Sequence, residues 1–293
     1  MSRLARCAAV SLLGLVGCTG AGEPGDTSSG GDSDATCLGA SGAYEVEWRT
    51  EPAAPIADAP SELWATVLGP DGCPVDDLQQ NHERMLHVFV ISGDLEHFEH
   101  RHMEDQYSIT ADDLRAATFH FTETFPASGP FRLAFDYAHE NQYPTTLDWA
   151  EVGGGVPQLD APVIDPATTL SVDGMDITFT WETPAIATFE AQWALNVTEG
   201  GEDVTDLVQY LGADAHAAIV SEDASFVSHT HAWFPGVENM QPGMEMPHSY
   251  PGPYLPFHYP FPAAGRYKIW TQFTRADAPE TPHLVAFWVE VQP

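Results

Sequence analysis

Six of the thirteen histidines in this 293-residue chain fall into one spacing that occurs twice. His87 is followed after twelve residues by His100-Arg101-His102, and His216 after twelve by His229-Thr230-His231. Neutral imidazole is a ligand for zinc and copper. If MLHVFVIS and FEHRHM are the arms of a β-hairpin turning at GDLE, His87 stands opposite His102 and His100 opposite Phe89. Strand alternation then aims all three rings at one face. Three neutral imidazoles crowded on an apolar face need partners for their ring nitrogens, and together they would repel one another if protonated. A cation answers both demands. The other reading is that these are hydrogen-bonded core histidines, inherited twice by duplication. A further histidine also repeats, His120 in FHF and His258 in FHY, and both are candidate ligands.

Between His231 and His258 the second copy carries NMQPGMEMPHSYPGPY, with Met240, Met244, Met246 and His248. Thioethers are soft and select Cu(I), and among imidazole sites the Irving–Williams order favours copper. Copper is therefore the expected metal and zinc the alternative; packing of the methionines in an exposed Pro-rich loop is the competing reading.

Positioning such clusters requires strands. Runs such as YEVEWRT, SELWATVLG, TFHFTETF, FRLAFDY, DITFTWET, FEAQWALNV and YKIWTQF are separated by Gly, Pro, Asn and Asp, with little at helical period. The chain reads as all-β. Four blocks recur in order: Trp48 with Trp181, VDDL with VTDL, FHFTETFPASGPFRLAFDY with FHYPFPAAGRYKIWTQF, and LDWAEV with AFWVEV. This predicts two tandem immunoglobulin-like β-sandwiches, residues 42–153 and 165–293, joined by a Gly/Pro-rich linker at 154–164.

Residues 1–18 hold Arg3 and Arg6, a short apolar run and Leu15-Val16-Gly17-Cys18. They resemble a bacterial lipoprotein signal, which implies cleavage before Cys18 and lipid attachment to it; Thr19 in place of Asp favours the outer membrane. An ordinary secretory signal is the alternative, and either predicts export. Residues 19–41 have almost no large apolar side chain and read as a flexible tether. In an oxidising compartment Cys37 and Cys73 are free to pair. With 43 acidic and 10 basic residues, the net charge of −33 excludes a nucleic-acid partner and leaves the lipid anchor as the only expected membrane contact.

A strand ending in histidine, an S-x-D turn, a short H-x-H and then G-x-Y-K-x-W-x-Q-F resembles secreted bacterial β-sandwich domains associated with heavy-metal, especially copper, handling. The resemblance spans AHAAIVSEDASFVSHTH and FPAAGRYKIWTQF. The first copy departs from it at HRHMED and at FRLAFDY, which lacks W-x-Q. The resemblance implies copper binding and supplies no mechanism; a metal-handling envelope protein is the expected partner. The expected function is a non-enzymatic envelope lipoprotein that binds and relays copper. Two other readings stand beside it: a copper enzyme resembling ascorbate-dependent monooxygenases in architecture, and a surface interaction module with structural histidines. No nucleophile elbow, phosphate loop or HExxH occurs, and no catalytic residue is assigned.

Overall fold

The computed structural model of the protein describes residues 37, 39–232 and 250–293. Cys18 and the segment with Met240, Met244, Met246 and His248 lie outside the described residues.

The first repeat is built from β1 (Glu45–Glu51), β2 (Pro60–Leu68), β3 (Leu86–Ser92), β4 (Phe98–Arg101), β5 (Thr118–Thr124), β6 (Gly129–Tyr137) and β7 (Thr145–Val152). They form two antiparallel sheets, ordered β1-β2-β5 and β4-β3-β6-β7. A short helix α1 (Ala111–Ala116), which strand periodicity does not foretell, precedes β5. Thr110 and Asp113 close it reciprocally in a capping box.

The second repeat begins with β8 (Thr169–Val172) and β9 (Met175–Trp181), then β10 (Glu190–Glu199), β11 (Glu202–Asp203) and β12 (Leu207–Val208). It continues with β13 (His216–Ser221), β14 (Val227–His231), β15 (Tyr254–Pro260), β16 (Gly265–Arg275) and β17 (His283–Val291). One sheet runs β11-β10-β9-β8 with β15 on β10; the other runs β12-β16-β13-β14 with β17 on β16. The pairings repeat those of the first copy: β5 lies on β2 as β15 lies on β10, and β6 lies on β3 as β16 lies on β13. The fold is thus two tandem immunoglobulin-like β-sandwiches. Cys37 and Cys73 are disulfide-bonded, which ties the chain preceding β1 to the loop after β2.

Each sandwich has its own core between its sheets, with Val88, Val90, Leu133 and Phe135 in the first and Ala217, Ile219, Ile269 and Phe273 in the second. A third cluster lies where the repeats meet. It joins Phe89, Ile91, Leu95, Phe98 and Ala134 of the first repeat to Ala218, Val220, Val227, Trp270 and Trp288 of the second. Alternation explains the division: Val88 and Val90 point into the sandwich, whereas Phe89 and Ile91 point out of it and into the other repeat. Hence β3 is buried along its whole length, on both faces.

The seam has the character of a two-fold axis. Lys268 of β16 donates to the Leu95 carbonyl at 2.5 Å, and Arg132 of β6 donates to the Ala224 carbonyl at 2.7 Å. Leu95 and Ala224 occupy the same place in two equivalent turns, eight residues after His87 and His216, and both are left-handed, at φ 56° and 51°. Ser92 to Asp94 and Ser221 to Asp223 hydrogen bonds, at 2.5 and 2.7 Å, hold those turns. The same contact is made once in each direction, as across an isologous interface. Each large apolar side chain fully removed from water contributes about 1.5–3 kcal/mol, so the apolar band holds the repeats together and fixes the polar cluster at its margin.

Candidate metal centre

The histidines lie at that margin. Across β13 and β14 the register pairs His216 with His231 and Ala218 with His229; across β3 and β4 it pairs Phe89 with His100. The outward side chains of both hairpins therefore face the seam, and two groups of imidazoles converge there: His87, His100 and His102, and His216, His229 and His231.

In the first triad the nitrogens that face one another are Nδ1 of His87, Nε2 of His100 and Nε2 of His102. Their separations are 2.9, 3.0 and 3.0 Å. The opposite nitrogen of each ring is bound elsewhere. Nε2 of His87 donates to the Asn81 carbonyl at 2.9 Å, Nδ1 of His102 to the Asp105 carboxylate at 2.7 Å, and Nδ1 of His100 to the Gln272 amide oxygen at 2.9 Å. Carbonyl and carboxylate oxygens only accept, so each outer nitrogen carries its ring's single proton. The three inner nitrogens are left with lone pairs aimed at one another. That arrangement is repulsive, and a cation among them makes it favourable. Three nitrogens around a first-row ion at bonds of about 2.0–2.1 Å stand about 3.4 Å apart, so seating one requires the rings to spread by a few tenths of an ångström. An outer acceptor on each ring is also the usual support of metal-binding histidines.

The second triad is built alike. His216 donates from Nε2 to the Tyr210 carbonyl at 2.7 Å, and His229 from Nδ1 to Asp136 at 3.3 Å. This leaves Nδ1 of His216 facing Nε2 of His229 at 3.1 Å. Nε2 of His231 is buried and has no hydrogen-bond partner. Its three donors lie within 4.8 Å of one another.

Burial, followed by the charge that neighbouring imidazoles would carry, lowers the pKa values in this cluster. His87 is lowered to about 3, and His100, His102, His216 and His231 well below the ordinary value. These five rings are thus neutral and competent as ligands at pH 7.

His120 and His258 are not brought to either triad. Their strands, β5 and β15, belong to the sheet of each sandwich that does not form the seam, although the His258 carbonyl accepts from Thr230 of β14 at 3.5 Å. His120 faces Glu62 at 3.3 Å and stacks on Trp64 at 4.3 Å; His258 faces Glu190 at 3.2 Å. Their recurrence reflects the inherited strand and a carboxylate neighbour, so His120→Ala together with His258→Ala is expected to leave bound metal per chain unchanged by elemental analysis.

Sequence reasoning missed His82. It stacks on His231 at 3.5 Å, stands edge-on to His216 at 5.6 Å, and is lowered to about 4, first by burial and then by His229. Its counterpart in the second repeat is Leu211, five residues before His216 as His82 is before His87, so a search for what repeats passes over it. Asp136 and Gln272 were missed as well, although a signal existed. They pair with His87 and His216 at the same register position of β6 and β16. The absence of W-x-Q from FRLAFDY is thus the replacement of one hydrogen-bond acceptor by another.

With the geometry in place, comparison adds one family. A domain of unknown function, DUF8832, matches twice, at residues 39–154 and 170–293. The chain belongs to the DUF8832 family. No curated protein sequence matches it. Among solved structures, FdeC, an Escherichia coli adhesin, is 9% identical over 85% of this chain and 64% of its own, with a TM-score of 0.26. The D0-D1 domain of intimin is 10% identical over 84% and 98%, at 0.21. A putative membrane-anchored protein of Corynebacterium diphtheriae is 13% identical over 85% and 59%, at 0.23. The chain thus spans less than two thirds of the FdeC chain. Scores this low carry no argument about this DUF8832 protein. Among its described residues no helix is long and apolar enough to cross a membrane.

Proposed function

We propose that this DUF8832 protein is a cell-envelope lipoprotein that binds copper in its two histidine triads and passes it on. The observation that carries the reading is the convergence of three proton-free nitrogens, 2.9–3.0 Å apart, on three buried rings. Imidazole donors suit copper, zinc and nickel, and affinity for a given site peaks at copper. The segment with Met240, Met244, Met246 and His248 begins soon after the ligand His231 in sequence, which favours copper over zinc and supplies soft donors for exchange. Export and attachment through Cys18 follow from the lipoprotein-like N-terminus. An exchange site has no need of a substrate pocket, and no residue is assigned to catalysis.

The test is elemental analysis of untagged protein purified from the cell envelope, followed by mixing the copper-loaded form with a Cu(I) chelator. Copper in the isolated protein, and transfer slowed by deleting Asn239 to His248, are expected. Zinc alone in the isolated protein would remove copper from the proposal. Substrate hydroxylation with ascorbate and oxygen, lost in His229→Ala, would replace the relay by an enzyme.

A further inference from the structure

The two triads are not separate islands. Across the seam, ring centroids are 5.1 Å apart for His87 and His229, 5.4 Å for His100 and His229, and 6.0 Å for His100 and His216. Within the first triad they are 4.4, 4.8 and 5.1 Å. The spacing between triads is therefore close to the spacing inside one.

Each triad is also completed by the other repeat. Gln272 of the second repeat accepts from His100 in the first triad; Asp136 of the first repeat accepts from His229 in the second. A second bond, from Thr145, fixes the Asp136 carboxylate at 3.0 Å. The exchange obeys the same two-fold relation as the Lys268 and Arg132 contacts, which act on the backbone of the opposite turn. His82 adds a first-repeat imidazole to the second triad alone.

We infer that the six imidazoles form one two-ion centre astride the seam, in which two transition-metal ions sit in magnetic contact and each is oriented in part by the opposite repeat. This rests on the metal-binding reading above and deepens it, because it assigns the second ion, its neighbour and the residues that link them. Asp136 and Gln272 act as positioning residues. They hold a ring by the nitrogen that faces away from the ion and carry the effect of one repeat into the site of the other.

The experiment is a titration of the metal-free full chain with Cu(II), followed by elemental analysis and electron paramagnetic resonance. At two ions per chain the expected spectrum is broadened by its neighbour and integrates to fewer than two isolated spins, or shows a half-field transition. His229→Ala/His231→Ala should bind one ion and give a sharp single-ion spectrum. Asp136→Ala should weaken the ion of the second triad about 10–100-fold, while Asp136→Asn, which retains an acceptor, should recover most of the affinity. Two sharp, independent spectra of full intensity in the wild type would overturn the two-ion centre and leave metal binding intact. So would a single ion per wild-type chain. Failure of the wild type to bind Cu(II) would overturn the metal-binding reading itself, and the wild-type spectrum decides without relying on any variant's folding.

Discussion

Bringing the metal-free protein from pH 7 to pH 5 is expected to lower its urea midpoint steeply, ahead of the main titration of its carboxylates. His87 is held down to about 3 and His82 to about 4, in both cases by burial first. In the unfolded chain these rings take up a proton near about 6.5. The unfolded state therefore binds more protons below that pH. The stability that depends on neutral rings is fully present above it and is lost as pH falls toward the folded values. At pH 5 the loss through His87 alone is about 2 kcal/mol, and His82, His100, His102, His216 and His231 act in the same sense. Against a total stability of about 5–15 kcal/mol for a typical domain this is a large effect. Acidification also reduces the self-repulsion of a chain with net charge −33, which acts in the opposite direction. Between pH 7 and 5.5 few carboxylates titrate and that relief is small, so a falling midpoint there reports on the histidines, and a flat or rising one would refute their burial as neutral rings.

Copper loading at pH 7 is expected to raise the melting temperature of the full chain by on the order of 10 °C for each ion. An ion in excess of its dissociation constant by 1,000-fold stabilises by about 4 kcal/mol, and about 1 kcal/mol moves the melting point of a domain of this size by 2–4 °C. The gain is largest where the ion also relieves an unfavourable contact in the metal-free protein, as among the three facing lone pairs of His87, His100 and His102. His229→Ala/His231→Ala should remove about half of the rise and one ion per chain, and His100→Ala/His102→Ala should remove the other half. The metal-free melting temperature of each variant, measured alongside, separates lost ligands from lost packing. A full copper-induced rise in a chain lacking both pairs would place the metal elsewhere.

Much of this protein was legible in its amino acids. Alternation, turn residues and four blocks recurring in order are enough to name two tandem β-sandwiches, because strand period and duplication are local properties of a sequence. The hairpin that sets His100 opposite Phe89 is equally local, since register follows from counting outward from a turn. Sequence alone could not say which face those rings occupy. HVFVIS and HAAIVS are apolar at nearly every position, which marks strands covered on both sides, but what covers the second side is the other repeat. His120 and His258 recur as faithfully as the ligands, yet β5 and β15 lie in the sheet of each sandwich that does not carry a triad, and their imidazoles turn to Glu62 and Glu190 instead. His82, Asp136 and Gln272 come to the centre from other elements and, for each triad, partly from the other repeat. Packing the repeats about a two-fold seam brings these distant residues together, and a juxtaposition made by packing leaves no spacing in the chain from which it can be counted.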